Sequence, residues 1–231
     1  MRPFTKNQTK VYSSIVKEVL DVYPDKTRYY HTETHIKNMI TNFCKYFKAF
    51  KAAYPNWSSE LVSEEKAIDI SLVAILFHDI VYKVGSTFNE QNSCSFCIKF
   101  LQDRHIWDEP EYQAIERLIM YTVPNKPKTY IGSPMQQYIR DLDWLAFTDL
   151  DKMIRNEWYI ANEAYRDGFT PIQVIEGQSK FLSVIVDGDI YETSIFDKFN
   201  SVAYLFISSR LNQLNNGCKW LLGRPFKKEL F

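Results

Sequence analysis

Apolar residues recur every three or four positions along nearly the whole chain, which is the spacing of helices that bury one face. In the first such segment the apolar stripe consists of Val11, Ile15, Val16, Val19, Leu20 and Tyr23. The pattern predicts helices over residues 8–23, 30–50, 63–82, 87–102, 110–123, 134–147, 149–166, 171–187 and 194–214. Because it continues without an internal repeat or a linker, it predicts one all-α domain that spans residues 1–231.

Two local patterns add detail to this prediction. The segment Ile68–Phe77 is apolar on almost every side, which is typical of a central buried helix. Thr87 and Glu90 have the spacing of a capping box, and Thr170 followed by Pro171 is typical of a first helical turn. We therefore expect a helical bundle around one buried helix, with additional helices over about 149–214.

Composition narrows the class of protein. Only 7 glycines and 9 prolines occur in 231 residues, which favours helices over turn-rich β-architectures. The 28 basic and 28 acidic residues cancel, so charge gives no argument for nucleic-acid binding. The sequence has no apolar run long enough for a signal peptide or a membrane span, and four cysteines are too few for a disulfide framework. We expect a cytoplasmic protein that does not bind membranes.

Histidine and aspartate residues cluster at three places along the predicted helices. These groups are His31 with His35, His78 with Asp79, and Asp141 with Asp143. The first two residues are four positions apart and are predicted on one helix face. His78 and Asp79 end the apolar helix, where a polar pair is costly to bury without partners. Imidazoles and carboxylates together favour a site for Mn²⁺, Fe²⁺, Co²⁺, Ni²⁺ or Zn²⁺ more than for Mg²⁺.

The order of these motifs resembles the HD superfamily of metal-dependent phosphohydrolases, and in particular a predicted phosphohydrolase family of bacteria and phages. The similarity includes Arg28-Tyr-Tyr-His-Thr-Glu-Thr-His35, Leu76-Phe-His-Asp-Ile-Val-Tyr82, Asn89-Glu-Gln-Asn-Ser93 and Asp141-Leu-Asp143-Trp-Leu, and continues through Ile154-Arg-Asn-Glu157 and Gly177-Gln-Ser-Lys-Phe-Leu182. It implies an HD-type helical domain, with the metal-site motifs within about 28–147, and hydrolysis of a phosphate ester or anhydride.

The resemblance also implies a set of metal ligands, which consists of His35, His78, Asp79 and Asp143. His35 is preferred to His31 because an apolar helical stripe follows it, as it follows the ligand in the family. Asp143 is preferred to Asp141 because the family's ligand precedes one residue and then a leucine. His31 would then contact a ligand or the substrate rather than the ion.

Departures from the family pattern favour a single divalent ion. Relatives with two metals supply further histidines, whereas here only His105 lies between the His-Asp pair and the last aspartate. Thr122 and Val123 occupy the helix end where relatives often have histidine. Gln178 stands where the family has an arginine, which removes one expected contact to an anion.

The chemistry expected at such a site assigns further roles. Asp79 would bind the ion and orient the attacking water, and Glu90 or His31 would move protons at the leaving group. Glu90 has an equally good alternative role as a helix cap.

The substrate is expected to be a small phosphorylated molecule, most of all a nucleotide. Arg28 and Lys83 would offset charge on its phosphate, and Tyr82 would stack on a base. The alternative function is a non-catalytic HD-fold protein that binds or senses a nucleotide around a structural metal. The sequence is also compatible with a homo-oligomer.

Overall fold

The computed structural model describes residues 4–23, 28–58, 63–124 and 130–216. Within these ranges the chain forms nine α-helices and no strand, so the predicted all-α class is confirmed. The helices are α1 (Lys10–Val22), α2 (Glu33–Ala53), α3 (Glu64–Phe77), α4 (Asn89–Gln102), α5 (Glu109–Met120), α6 (Pro134–Asp143), α7 (Leu150–Arg166), α8 (Pro171–Val186) and α9 (Asp197–Asn215). Residues 1–3 and 217–231 of the predicted domain lie outside the described residues.

Helix α3 is the centre of the bundle. Every residue from Ile68 to Phe77 is buried, as the nearly unbroken apolar segment predicts. Helices α1, α2, α4, α5 and α6 pack around it. Its start is capped by the Ser63 hydroxyl, which accepts a hydrogen bond from the backbone N–H of Lys66. No helix in the described ranges is both long and apolar enough to cross a membrane.

Helices α7, α8 and α9 form the second part of the bundle. α8 packs against α7 and α9, and a short 3₁₀-helix, Leu145–Thr148, connects α6 to α7 and contacts α9. The first turn of α8 has the predicted cap, since the Thr170 hydroxyl and Gln173 side chain form a capping box before Pro171. A space between this part and the end of α3 becomes the cavity described below.

Three differences from the predicted helix boundaries lie beside the candidate site. α2 begins at Glu33, so His31 precedes the helix and does not share a helical face with His35. α3 ends at Phe77 rather than near residue 82. The segment 134–147 divides into α6 and the 3₁₀-helix. At each of these boundaries a histidine or aspartate side chain reaches the candidate site described below.

The capping box predicted for Thr87 and Glu90 is not formed. Phe88 is the residue before α4, and no side chain caps that helix. The Ser86 hydroxyl accepts the N–H of Phe88 at 3.1 Å instead. The Asn89 side chain pairs with the backbone of the preceding loop, so the helix start is fixed without Glu90.

Candidate functional site

Helix ends bring four polar side chains together. His35 lies in the first turn of α2, and His78 and Asp79 follow directly after α3. Asp143 is the last residue of α6. One ligand atom from each of His35, His78 and Asp79 lies within 4.8 Å of the others. Asp143 Oδ1 lies 3.1 Å from His35 Nε2 and 3.8 Å from His78 Nε2. These four residues, here called the His-Asp cluster, are those that the family resemblance implies as ligands.

Two imidazole nitrogens in the His-Asp cluster have no hydrogen-bond partner. Among the described residues, His35 Nε2 and His78 Nε2 are both buried and unsatisfied. His78 Nδ1–H donates to the carbonyl of Ile75 at 2.9 Å, so a cation that displaces the proton from Nε2 would meet a lone pair there. Such buried atoms are costly, whereas a divalent cation would bind both lone pairs. The residues present therefore fit a metal ion.

The charge of the His-Asp cluster also favours a cation. Burial lowers the pKa of His78, but Asp79 and Asp143 outweigh it and hold that pKa well above its usual value. Burial raises the pKa of Asp143, whereas His35 and His78 beside it lower it to about 2. Burial also raises the pKa of Asp79, but His78 and His31 more than offset this, so it lies below its usual range. Both carboxylates are therefore ionised at neutral pH.

A cavity of about 500 Å³ opens beside the cluster and is lined by His78, Asp79 and Asp143. This volume lies within the roughly 300–1,000 Å³ typical of small-molecule sites. Its other walls come from the loop after α3, the 3₁₀-helix, α7 and α8, and they are largely apolar. The aromatic residues in them are Tyr30, Tyr82, Trp144, Phe147, Phe169 and Phe181. A group bound to a metal in the His-Asp cluster would therefore lie at one side of the cavity, and the aromatic walls of the cavity suit a flat ring.

His31 lies in this cavity wall, held by a residue from α7. Its Nδ1–H donates to Glu163 Oε2 at 2.6 Å, and its ring stacks on Tyr82 with centroids 3.4 Å apart. Glu163 Oε1 accepts the backbone N–H groups of Tyr29, Tyr30 and His31. Burial raises the pKa of Glu163, but His31 and these N–H groups lower it overall. An ionised Glu163 therefore fixes both the backbone before α2 and the His31 ring.

Arg28 and Lys83, predicted to contact phosphate, have other surroundings. The Arg28 guanidinium donates to the carbonyls of Asp79 and Ile80 at 2.7 and 3.0 Å, so it supports the chain just after α3. Lys83 is exposed, and its backbone N–H and carbonyl pair with the Asn89 side chain. Neither belongs to the described residues that line the cavity. The structure does not bring these two side chains to the predicted substrate position.

Tyr82 and Glu90 do line the cavity. The stacking partner of Tyr82 is His31, so this ring orients a neighbouring side chain as well as forming the wall. Glu90 lies in the first turn of α4. Burial raises the pKa of Glu90, which suits a group that gives up a proton during a reaction.

Asp141, the alternative to Asp143 as a metal ligand, has a structural role. It is completely buried and accepts the backbone N–H groups of Glu192 and Thr193 at 2.9 and 2.8 Å, and the Thr193 hydroxyl at 2.6 Å. Burial raises the pKa of Asp141 to about 6, although these hydrogen bonds lower it. Asp141 thus connects α6 to the segment before α9, whereas Asp143 lies in the cluster.

Of the positions considered for a second metal, Thr122 and Val123 line the cavity and His105 does not. His105 is exposed in the turn after α4 and is not one of the described residues that line the cavity. Thr122 and Val123 do line it, but neither has an imidazole, and the Thr122 hydroxyl donates to the Ile119 carbonyl. The two cysteines of the Cys-x-x-Cys segment, Cys94 and Cys97, are free and buried in the core.

Sequence reasoning missed two buried carboxylates on α7. Glu163, 1% exposed, holds His31, and Glu157, 5% exposed, lines the cavity. Glu157 lies on the same buried stripe as Met153 and Ala161, at helical spacing. An acidic residue within an apolar stripe is costly to bury without a partner. Its position in such a stripe is therefore the one local sequence signal of a buried, functional carboxylate. The partners of both carboxylates come from distant segments that no local pattern identifies.

In comparisons with known proteins, no family model, curated protein or solved structure matches this chain significantly.

Proposed function

We propose that this protein is a metal-dependent phosphohydrolase of the HD type, which hydrolyses a phosphate ester or anhydride of a small molecule. The observation that carries this proposal is the convergence of the buried Nε2 atoms of His35 and His78, which form no hydrogen bond, on carboxylate oxygens of Asp143 and Asp79 at 3.1 and 3.0 Å. That arrangement lies on the wall of a cavity large enough for a small phosphorylated molecule. The family resemblance of the motifs supports the same conclusion.

His35, His78, Asp79 and Asp143 would hold one divalent ion, for which nitrogen and oxygen donors favour Mn, Fe, Co, Ni or Zn. When bound, such an ion supplies Lewis acidity toward a phosphoryl oxygen and lowers the pKa of water toward neutrality. The hydrogen bond from His78 to the Ile75 carbonyl keeps the imidazole oriented as a ligand.

The protein's own groups would handle the protons. Glu90 lines the cavity with a raised pKa and gives a proton to the leaving group. His31 is the second candidate for that step, because Glu163 and Tyr82 hold its ring at the cavity wall. Asp79 orients the attacking water as well as binding the ion.

A nucleotide is the substrate class that the cavity supports best. Trp144, Phe147 and Phe181 offer flat apolar surfaces on which a base could stack. The free thiols of Cys94 and Cys97 support a location in the cytoplasm, where disulfides are rare.

The test is a screen of Mn²⁺, Co²⁺, Ni²⁺, Zn²⁺ and Mg²⁺ against nucleotides and a generic phosphodiester, with phosphate or nucleoside release as the readout. Asp79→Ala should abolish release and bound metal. The matched control Asp151→Ala, at an exposed site on α7, should change neither. No product from the wild-type protein with any metal would refute hydrolysis, and tight nucleotide binding in that case would favour the sensing function.

A further inference from the structure

Glu157 has a carboxylate oxygen that nothing in the described protein uses. Its Oε2 accepts a hydrogen bond from Arg210 Nε at 2.6 Å, and both side chains are buried. Its Oε1 is buried without a partner among the described residues. Glu157 belongs to the cavity wall, on α7, and not to the His-Asp cluster.

A purely structural ion pair would use this carboxylate differently. An arginine that only neutralises a buried carboxylate commonly forms two parallel hydrogen bonds to its two oxygens. Here Arg210 contacts one oxygen through Nε, and its Nη1 donates to Gln213 at 3.1 Å. Arg210 therefore fixes the orientation of Glu157 and leaves one strong acceptor, whose unpaired burial is costly in the absence of a donor.

The surrounding wall indicates the kind of molecule that carries the donor. Trp144, Phe147 and Phe181 provide apolar aromatic surface in the same cavity. Gln178 on α8 is buried in this wall and brings a side-chain amide to it. An aromatic ring with polar groups at its edge would match both kinds of surface.

We propose that Glu157 is a specificity-determining residue, which accepts a hydrogen bond from an N–H or O–H group on the part of the ligand that does not bind the metal. The inference rests on the proposed function in one respect only, namely that the ligand is a nucleotide-like molecule. The donor is either an amino group on the base or a hydroxyl on the sugar, and these two sources are separated by the test.

The test measures binding of nucleosides to the metal-free protein by calorimetry, so it needs neither metal nor turnover. One pair, 2′-deoxyadenosine and purine 2′-deoxyriboside, differs only in the amino group of the base. A second pair, adenosine and 2′-deoxyadenosine, differs only in a sugar hydroxyl. We expect one pair to differ by about 10- to 100-fold in Kd, the usual effect of one hydrogen bond to a charged group.

Variants connect that difference to Glu157. Glu157→Gln keeps the side-chain shape and an oxygen that accepts from Arg210. It places an amide NH₂ where Oε1 would accept from the ligand, so the difference in Kd within the pair should vanish. Glu157→Asp keeps the charge beside Arg210 and withdraws the carboxylate, which gives a second variant if the first does not fold. The control Glu176→Gln, at an exposed site on α8, should retain the preference.

Equal binding within both pairs, no binding of any nucleoside, or a preference that survives both Glu157 variants would overturn the inference. Phosphate release from the matching nucleotides is measured separately. A preference that depends on Glu157 without any phosphate release would support the inference and refute the proposed function. Release without a preference would do the reverse.

Discussion

Two aspartates in the last turn of α6 give the sharpest test of the site, because the structure assigns them different roles. Asp141 holds the segment before α9, and Asp143 lies in the His-Asp cluster. Alanine at each position removes the same chemical group from the same helical turn. We therefore expect Asp141→Ala to lose stability and Asp143→Ala to lose metal.

The size of the stability loss follows from the hydrogen bonds. Asp141→Ala removes the acceptor for the N–H of Glu192 and for the N–H and hydroxyl of Thr193, all at a completely buried site. A buried donor without its acceptor costs about 1–3 kcal/mol, so three would cost up to about 9 kcal/mol. The cost of burying the carboxylate, which the raised pKa of Asp141 reflects, reduces this to about 3–5 kcal/mol.

No backbone N–H among the described residues donates to Asp143, and its side chain is 19% exposed. Asp143→Ala should therefore change the metal-free unfolding free energy by at most about 2 kcal/mol. Loss of residues that merely support a ligand typically weakens metal binding by about 10- to 100-fold, so loss of the ligand itself should weaken it by at least the upper value.

Urea unfolding at pH 8 in a chelator, followed by tryptophan fluorescence, gives the first quantity, and calorimetric titration with Mn²⁺ or Co²⁺ gives the second. Metal affinity should be close to that of the wild type in folded Asp141→Ala protein. The assignment is wrong if Asp141→Ala weakens metal binding as much as Asp143→Ala does while the protein keeps its stability.

Three further predictions concern groups around the cavity and in the core. Glu90→Gln should leave the metal bound and slow turnover by about 10²–10⁴-fold, and unchanged turnover would exclude Glu90 from proton transfer. Glu163→Gln should cost about 2–4 kcal/mol, because it weakens the bonds to His31 and the backbone. Since the pKa of Glu163 is lowered by folding, this contribution is present above about pH 4.3 and is lost as the pH falls further, so the difference between wild type and variant should shrink there. Burial raises the pKa of the Cys94 and Cys97 thiols, so both should resist alkylation until urea unfolds the chain; rapid labelling of the folded protein would contradict their burial.

The helical class was predictable because it depends on spacing alone. The stripe in α1 and the apolar segment Ile68–Phe77 each bury the residues that their period predicts. The boundaries near the site were less predictable, since contacts distant in sequence determine them. His31 was predicted within a helix, but Glu163 binds the backbone N–H groups at residues 29–31 from more than 130 positions away.

The same limit applies to the roles of individual residues. The preference for Asp143 over Asp141 followed from a family pattern. In the structure Asp141 accepts the hydroxyl of Thr193, a contact distant in sequence that no local pattern predicts. Arg28 looked like a phosphate contact because it is a cation beside a motif. Its partners are the carbonyls of Asp79 and Ile80, which become its neighbours only when α3 ends at Phe77.

Helices α3 and α6 both end at the His-Asp cluster, and this has a consequence for the order in which molecules bind. The C-terminus of a helix has roughly half an elementary negative charge, and the N-terminus of α2 offsets only one of the two. Together with Asp79 and Asp143, this field repels a phosphate until a cation is in place. If the protein is the proposed hydrolase, metal would therefore bind before the phosphorylated molecule, and a cell that limits free metal would limit the capture of substrate as well as its hydrolysis.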